Sequence, residues 1–236
     1  INSPQNPTGG VLTQEDLEAI GEMAIENDLM VMSDETYETV IYEGQQHSIA
    51  AVEGMKERTL VMDCFSKSFA MTGWRLGFAA APEHLADALG QLMNNANSCT
   101  AAFTQRAGIA ALQSSMEPTA KMVEKYRSRR DVMVDGLNRI EGVRCMKPRG
   151  AFYAFPNITE TGYNSQQLAD LLMEEANVAV LPGTAFGEHG EGYLRLSYAN
   201  SEKNLREALD RMEGILGQKK VSKVVSAGEL KNDDGS

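Results

Sequence analysis

Two short apolar runs that stop abruptly at polar, reactive side chains constrain this chain more than any other feature. Leu29–Met32 gives way to Ser33, Asp34 and Glu35, and Thr59–Cys64 gives way, one aromatic later, to Ser66 and Lys67. Runs this short, without a 3.6-residue period, predict buried strands whose ends deliver polar groups to a site. A third run, Leu76–Ala81, is stopped by Pro82. Upstream of the first run, Thr13 is placed to cap a helix over about 13–28, with Glu15 and Asp16 in its first turn and Leu17, Ile20 and Ala24 at helical spacing. Strands separated by helices predict an α/β fold with a mostly parallel sheet, in which ligands gather beyond the carboxyl ends of the strands.

Residues 101–113 and about 118–140 read as further helices, the second long enough to link two domains. Beyond about residue 143 the order becomes strand, strand, helix, strand, strand, helix. It runs through VRCM, AFYAFPNI, QQLADLLMEEA, VAVLP and YLRLSYA to a helix starting near Ser201, and predicts a smaller α+β domain. The expected organisation is a first domain over 1–120, a second over 121–218 and a polar, aperiodic, disordered tail over 219–236.

Charge and composition narrow the function classes. The formal charge is -11, from 33 acidic and 22 basic residues, and a nucleic acid would approach against that field. The densest basic stretch, Lys121, Lys125, Arg127, Arg129 and Arg130, is interrupted by Glu124 and Asp131 and reads as a solvated helix face. Cys64, Cys99 and Cys145 are widely spaced, and His47, His84 and His189 are scattered, so a metal site is not expected and a reduced, cytoplasmic protein is. No apolar run approaches the roughly 20 residues of a membrane span. A first residue of Ile1 instead of methionine leads us to expect that the sequence begins inside a longer protein or was processed.

The candidate chemistry lies where the runs end. Lys67 follows a strand, where partial desolvation favours a neutral amine able to form an imine. Arg75, eight residues on and flanked by Gly73 and Gly77, has the planar fork that suits a phosphate, although a structural ion pair is the commoner fate of an arginine. Asp34 and Tyr37 offer a carboxylate and a phenol. The carboxylate can keep a pyridine nitrogen protonated, and the phenol can bond a ring oxygen, while a helix cap and a packed aromatic explain the pair equally well. Asn6 precedes Pro7 in a turn that Gly9 and Gly10 complete. Arg195 alternates with Leu194, Leu196 and Tyr198 on a strand and suits a carboxylate.

In combination these residues resemble a known family. FSKSFAMTGWRLG is similar to the cofactor-lysine signature of class I, aspartate aminotransferase-like, fold type I pyridoxal phosphate enzymes. NSPQNPTGG, SDETY, GAFYAFP and YLRLSYAN occur in that family's order. The resemblance, which reaches about residue 216, implies that Lys67 holds pyridoxal 5'-phosphate as a Schiff base and moves the proton in catalysis. It implies that Arg75 binds the phosphate, Asp34 the pyridine nitrogen, Asn6 and Tyr37 the ring oxygen, and Arg195 the substrate α-carboxylate, with Ser66 in the cofactor-binding set. Cys64 departs from the serine or glycine usual three residues before that lysine. The resemblance further implies an intact homodimer acting on an amino acid and a 2-oxo acid, and an N-terminal portion beyond this chain that carries a Gly/Ser-rich phosphate turn and a ring-stacking aromatic. A lyase or synthase of the same fold type, or a non-catalytic fragment, is the alternative.

Overall fold

The computed structural model describes residues 1–229, with side chains through Gly217. The chain forms two compact units, residues 1–125 with 149–151, and 126–148 with 152 onward.

In the first unit, helix α1 (Gln14–Glu26) begins at the expected Thr13, whose side chain accepts from the Asp16 backbone while the Asp16 side chain accepts from Thr13 N–H. It ends where Asp28 turns left-handed at φ 49°. The Leu29 N–H then reaches Ala24 C=O (2.8 Å) and the Asp28 N–H reaches Ile25 C=O (3.2 Å), the pair of bonds that closes a helix C-terminus. That closure occupies Leu29, so strand β1 runs over Val31–Asp34, two residues later than the apolar run suggests.

Strand β2 (Thr59–Cys64) matches its run. It leads through the short helix α2 (Phe65–Ser68) to β3 (Gly77–Ala80). β2 is the middle strand, parallel to β1 and antiparallel to β3. Helices α3 (Glu83–Ala96), α4 (Ala102–Gln113) and the start of α5 (Glu117–Leu137) follow. α3 was not legible in the sequence: Pro82, read there as a stop, also occupies the position before the first helical turn, where its missing N–H costs nothing.

The apolar core of this unit joins Leu17, Ala24, Ile49 and Met55, with Val31 and Val52 against them. The expectation of fully buried strands is corrected here. Met32 on β1 is 54% exposed and Phe78 on β3 50% exposed, and α3 has no buried residue among those described. The apolar runs record burial that the elements of this chain do not themselves supply.

The second unit takes the rest of α5, then β4 (Tyr153–Ala154), α6 (Ser165–Ala176), β5 (Leu181–Pro182), β6 (Leu194–Ser197) and α7 (Glu202–Glu229). Its sheet has the order β4-β6-β5 with both pairs antiparallel. VRCM, expected as a strand, contributes a single bridge between Arg144 and Asn157. Leu137, Leu168, Leu172 and Leu194 are fully buried. Leu168→Ala should therefore destabilise this unit by about 2–5 kcal/mol, because transfer and cavity costs add; chemical denaturation of this chain measures it. The tail expected over 219–236 lies outside the residues described with side chains, and from 230 outside the described backbone.

The division falls inside α5, and Arg149–Ala151 return to the first unit. They are held there by backbone bonds. Tyr42 N–H donates to Arg149 C=O (2.8 Å), Ala151 N–H to Val40 C=O (2.9 Å), and Arg149 and Gly150 N–H both donate to Gly9 C=O (2.9 and 3.0 Å). Gly150 is required at that point, since a Cβ would lie 2.8 Å from Pro4.

Candidate active site

Asp34 closes β1 and is paired in register with Met62 on β2. Residues 1–3 extend the sheet beside it: Asp34 N–H donates to Ile1 C=O (3.0 Å), and Ser3 N–H and the Asn2 side-chain amide donate to Asp34 C=O (3.1 and 3.0 Å). One Asp34 carboxylate oxygen accepts from Thr36 N–H (3.1 Å), which shapes the turn that follows. In that turn Tyr37 is almost fully buried. The packed-aromatic reading of Tyr37 therefore holds locally, while Asp34 caps a turn and not the helix that the alternative reading expected.

Lys67 lies in α2, directly beyond β2. Cys64 is still extended (φ -147°, ψ 155°), and Phe65 N–H donates to Leu76 C=O (3.1 Å), which ties the start of the short helix back toward β3. Ser66 is buried, and Ser68 anchors the other end by accepting from the Thr39 hydroxyl (3.0 Å) and offering its C=O to the Thr119 hydroxyl (2.7 Å). The Lys67 ammonium nitrogen stands 5.7 Å from the centroid of the Tyr37 ring. The fold thus brings the amine-bearing end of β2 to the phenol that follows β1.

Arg75 sits at φ 52°, a left-handed conformation unusual for a residue with a side chain. Its guanidinium donates to Thr72 C=O (3.2 Å). A Cβ on Gly77 would meet Asp63 C=O at 3.0 Å, so the missing side chain lets β3 lie close to β2, and Gly73 has open space where its Cβ would be. Asn6 is tied to the sheet extension through its N–H, which donates to the Asn2 side chain (2.8 Å). Both Asn6-Pro7 and Ser3-Pro4 are cis, which the extended reading of this segment did not foresee.

Arg195 belongs to the second unit. As the alternation predicts, Leu194, Leu196 and Tyr198 are buried on the other face of its strand. Its guanidinium carbon lies 4.5 Å from the centroid of the Tyr153 ring and 4.9 Å from that of Phe186. Phe155, stacked on Tyr193 at 5.0 Å, meets Phe186 edge-on. Aromatic contact orients a guanidinium while leaving its in-plane N–H groups for an acceptor.

Sequence reasoning missed Asp63. Asp63 is partly buried in β2, and burial, with the charges of the nearby acidic groups Glu38, Glu35 and Asp34, pushes its carboxyl up to about 6 although its carboxylate accepts Cys64 N–H at 2.6 Å. The available signal was a carboxylate inside the otherwise apolar Thr59–Cys64 run. Among the described residues, no group of three or more potential metal ligands is assembled, and no helix is long and apolar enough to cross a membrane.

Comparison with known proteins supplies a family. Residues 1–212 match the model of aminotransferase class I and II. The chain is 47% identical over 224 residues to aromatic-amino-acid aminotransferase 2 of Thermococcus litoralis, covering 94% of this chain and 57% of that protein. It is likewise 47% identical over 225 residues to an aspartate aminotransferase of Pyrococcus abyssi, covering 94% and 58%. The crystal structure of an aromatic aminotransferase from Pyrococcus horikoshii superimposes with a TM-score of 0.90 at 45% identity, over 93% of this chain and 59% of that one. The chain thus spans under three fifths of the length of these relatives.

Proposed function

The chain belongs to the aminotransferase class I and II family, and we propose that it is the part of a pyridoxal phosphate-dependent aminotransferase that carries the cofactor lysine and the substrate-carboxylate arginine. The observation that carries this reading is the approach of the Lys67 amine to the Tyr37 ring at 5.7 Å, at the end of a sheet whose neighbouring strand finishes in Asp34.

The donor set fits the cofactor by its chemistry. Lys67 offers the amine, Arg75 and Ser66 the charge and hydroxyl for a phosphate, Asp34 the carboxylate for a pyridinium nitrogen, and Tyr37 and Asn6 the partners for a ring oxygen. When bound, pyridoxal phosphate supplies an aldehyde and a ring that accepts electrons. Asp34 would keep the ring nitrogen protonated, and the Tyr37 hydroxyl and Asn6 amide would hold the ring oxygen. With the cofactor held, Lys67 Nζ would be the base that takes the proton from the substrate α-carbon and the acid that delivers it to the cofactor carbon. Arg195 holds the α-carboxylate, which makes the substrates an amino acid and a 2-oxo acid.

We place the whole protein in the cytoplasm as a homodimer, in keeping with the reduced cysteines and the family. The test mixes the whole protein with an L-amino acid and no 2-oxo acid. One equivalent of pyridoxamine phosphate and of the 2-oxo acid is expected per site. Release of ammonia with no pyridoxamine phosphate would instead indicate a lyase.

A further inference from the structure

The Lys67 amine and the Tyr37 ring, 5.7 Å apart, belong to two turns that are held in different ways. The turn carrying Tyr37 is pinned by backbone on both sides. Glu35 N–H donates to Met62 C=O on β2 (2.9 Å), Val40 N–H closes the turn on Tyr37 C=O (2.8 Å), and Ala151 N–H donates to Val40 C=O (2.9 Å). Helix α2, which carries Lys67, is a single turn of four residues. A helix so short has no following turn to supply N–H donors to its last carbonyls, and its internal bonds do not fix its place.

Phe65 C=O accepts from Phe69 and Met71 N–H (3.2 and 3.3 Å), and Lys67 C=O accepts from Ala70 N–H (3.3 Å), where Ala70 turns left-handed at φ 53°. The donor for Ser68 C=O comes from outside the turn: it is the Thr119 hydroxyl, near the start of α5, at 2.7 Å. The Ser68 hydroxyl accepts from the Thr39 hydroxyl at 3.0 Å, and Thr39 lies two residues after Tyr37. Ser68 and Thr119 are buried, where bulk water does not stand in for a lost partner.

We propose that the hydroxyls of Thr39, Ser68 and Thr119 form a chain that sets the position of Lys67, with the pinned Tyr37 turn as its fixed reference, so that the amine meets the carbon it must attack. These three are positioning residues that act through the backbone of α2. The proposal rests on the aminotransferase reading for the carbon attacked, while the bonds themselves do not depend on it.

Cofactor capture is the step that would feel this position. The Lys67 nitrogen would form a C=N bond to the aldehyde carbon of pyridoxal phosphate, and the aldehyde oxygen would leave as water. Its rate depends on how nitrogen approaches carbon, and a misplacement of about 1 Å can cost about 10²-fold. Thr39→Val and Thr119→Val keep the branched shape and remove the hydroxyl. Thr39→Ser restores the donor without the methyl group, which separates the bond from the packing.

The experiment compares the whole protein, freed of cofactor, with these three variants. Absorbance follows capture of added pyridoxal phosphate, and borohydride reduction with peptide mass analysis identifies the lysine. Pyridoxamine phosphate, which has no aldehyde, measures binding alone. Either valine variant should capture pyridoxal phosphate at least about 5-fold more slowly than the unsubstituted protein. Its melting midpoint should fall by about 1–6 °C, and its affinity for pyridoxamine phosphate should stay within about 2-fold. Thr39→Ser should recover the capture rate. Thr39 is partly exposed, so the Thr39 pair decides the outcome if Thr119→Val does not fold. A lower melting midpoint with capture unchanged overturns the positioning role. Pyridoxamine phosphate affinity that weakens as much as capture slows overturns it too, because the bonds would then shape the whole pocket. Thr39→Ser as slow as Thr39→Val transfers the effect to methyl packing and overturns the hydroxyl chain. Failure of the unsubstituted protein to bind either cofactor form overturns the aminotransferase reading along with the proposal, whereas capture at one common rate by all four proteins overturns the proposal alone.

Discussion

Lys67→Ala in the whole protein should slow the half-reaction with an amino acid by about 10⁴-fold or more, while pyridoxal phosphate still binds non-covalently. The magnitude follows from the two tasks that one amine would perform. As a nucleophile it would hold the cofactor, and as an acid–base group it would move the substrate proton, a role alone worth about 10²–10⁴. The effect should be chemical and not structural. α2 is a single turn whose ends are fixed by groups other than the lysine, the Phe65 N–H bond to Leu76 and the Thr119 and Thr39 bonds to Ser68. Single-turnover absorbance with an amino acid measures the rate, and the melting midpoint checks the fold. A variant that turned over within tenfold of the parent would remove Lys67 from the mechanism.

The sequence was most readable where one local rule acts alone. The Thr13 cap, the run over β2 and the alternation around Arg195 each depend on neighbours within a few residues, and each is present in the structure. It was less readable where distant backbone decides. The closure of α1 at Asp28 displaced β1, and Arg149–Ala151 joined the first unit through bonds to Val40, Tyr42 and Gly9 that no local pattern encodes. The apolar face of β3 shows a further limit. Its composition speaks of a buried strand, yet Phe78 is half exposed, in a chain that spans under three fifths of its relatives. For the site, residue type and order sufficed to nominate Lys67, Asp34, Tyr37, Arg75, Asn6 and Arg195. Asp63 escaped because a single carboxylate inside an apolar run is visible in sequence, but the acidic groups that raise it, Asp34, Glu35 and Glu38, lie 25 to 29 residues away.

Arg195→Lys should raise the KM for amino acids and 2-oxo acids by about 10–150-fold, the equivalent of losing about 1.5–3 kcal/mol in hydrogen bonds to a charged group. A lysine keeps the positive charge, so the expected loss isolates the geometry of the planar fork and its setting on the Tyr153 and Phe186 rings at 4.5 and 4.9 Å. An ammonium can reach one carboxylate oxygen but cannot present two parallel N–H groups, nor lie flat against two rings. The loss should therefore appear mainly as KM, since the carboxylate is bound before and during proton transfer and contributes to both states alike. A primary amine lacking the carboxylate supplies the control, because it has nothing for Arg195 to hold. Parent and variant should process it at the same slow rate. If instead the variant lost equal activity toward the amine and the amino acid, Arg195 would act on the fold of the second unit and not on the substrate. Phe186→Leu would then separate the two: it leaves the charge and fork intact and removes one ring. A KM rise smaller than that of Arg195→Lys, confined to carboxylates, is expected if the ring's task is to aim the guanidinium.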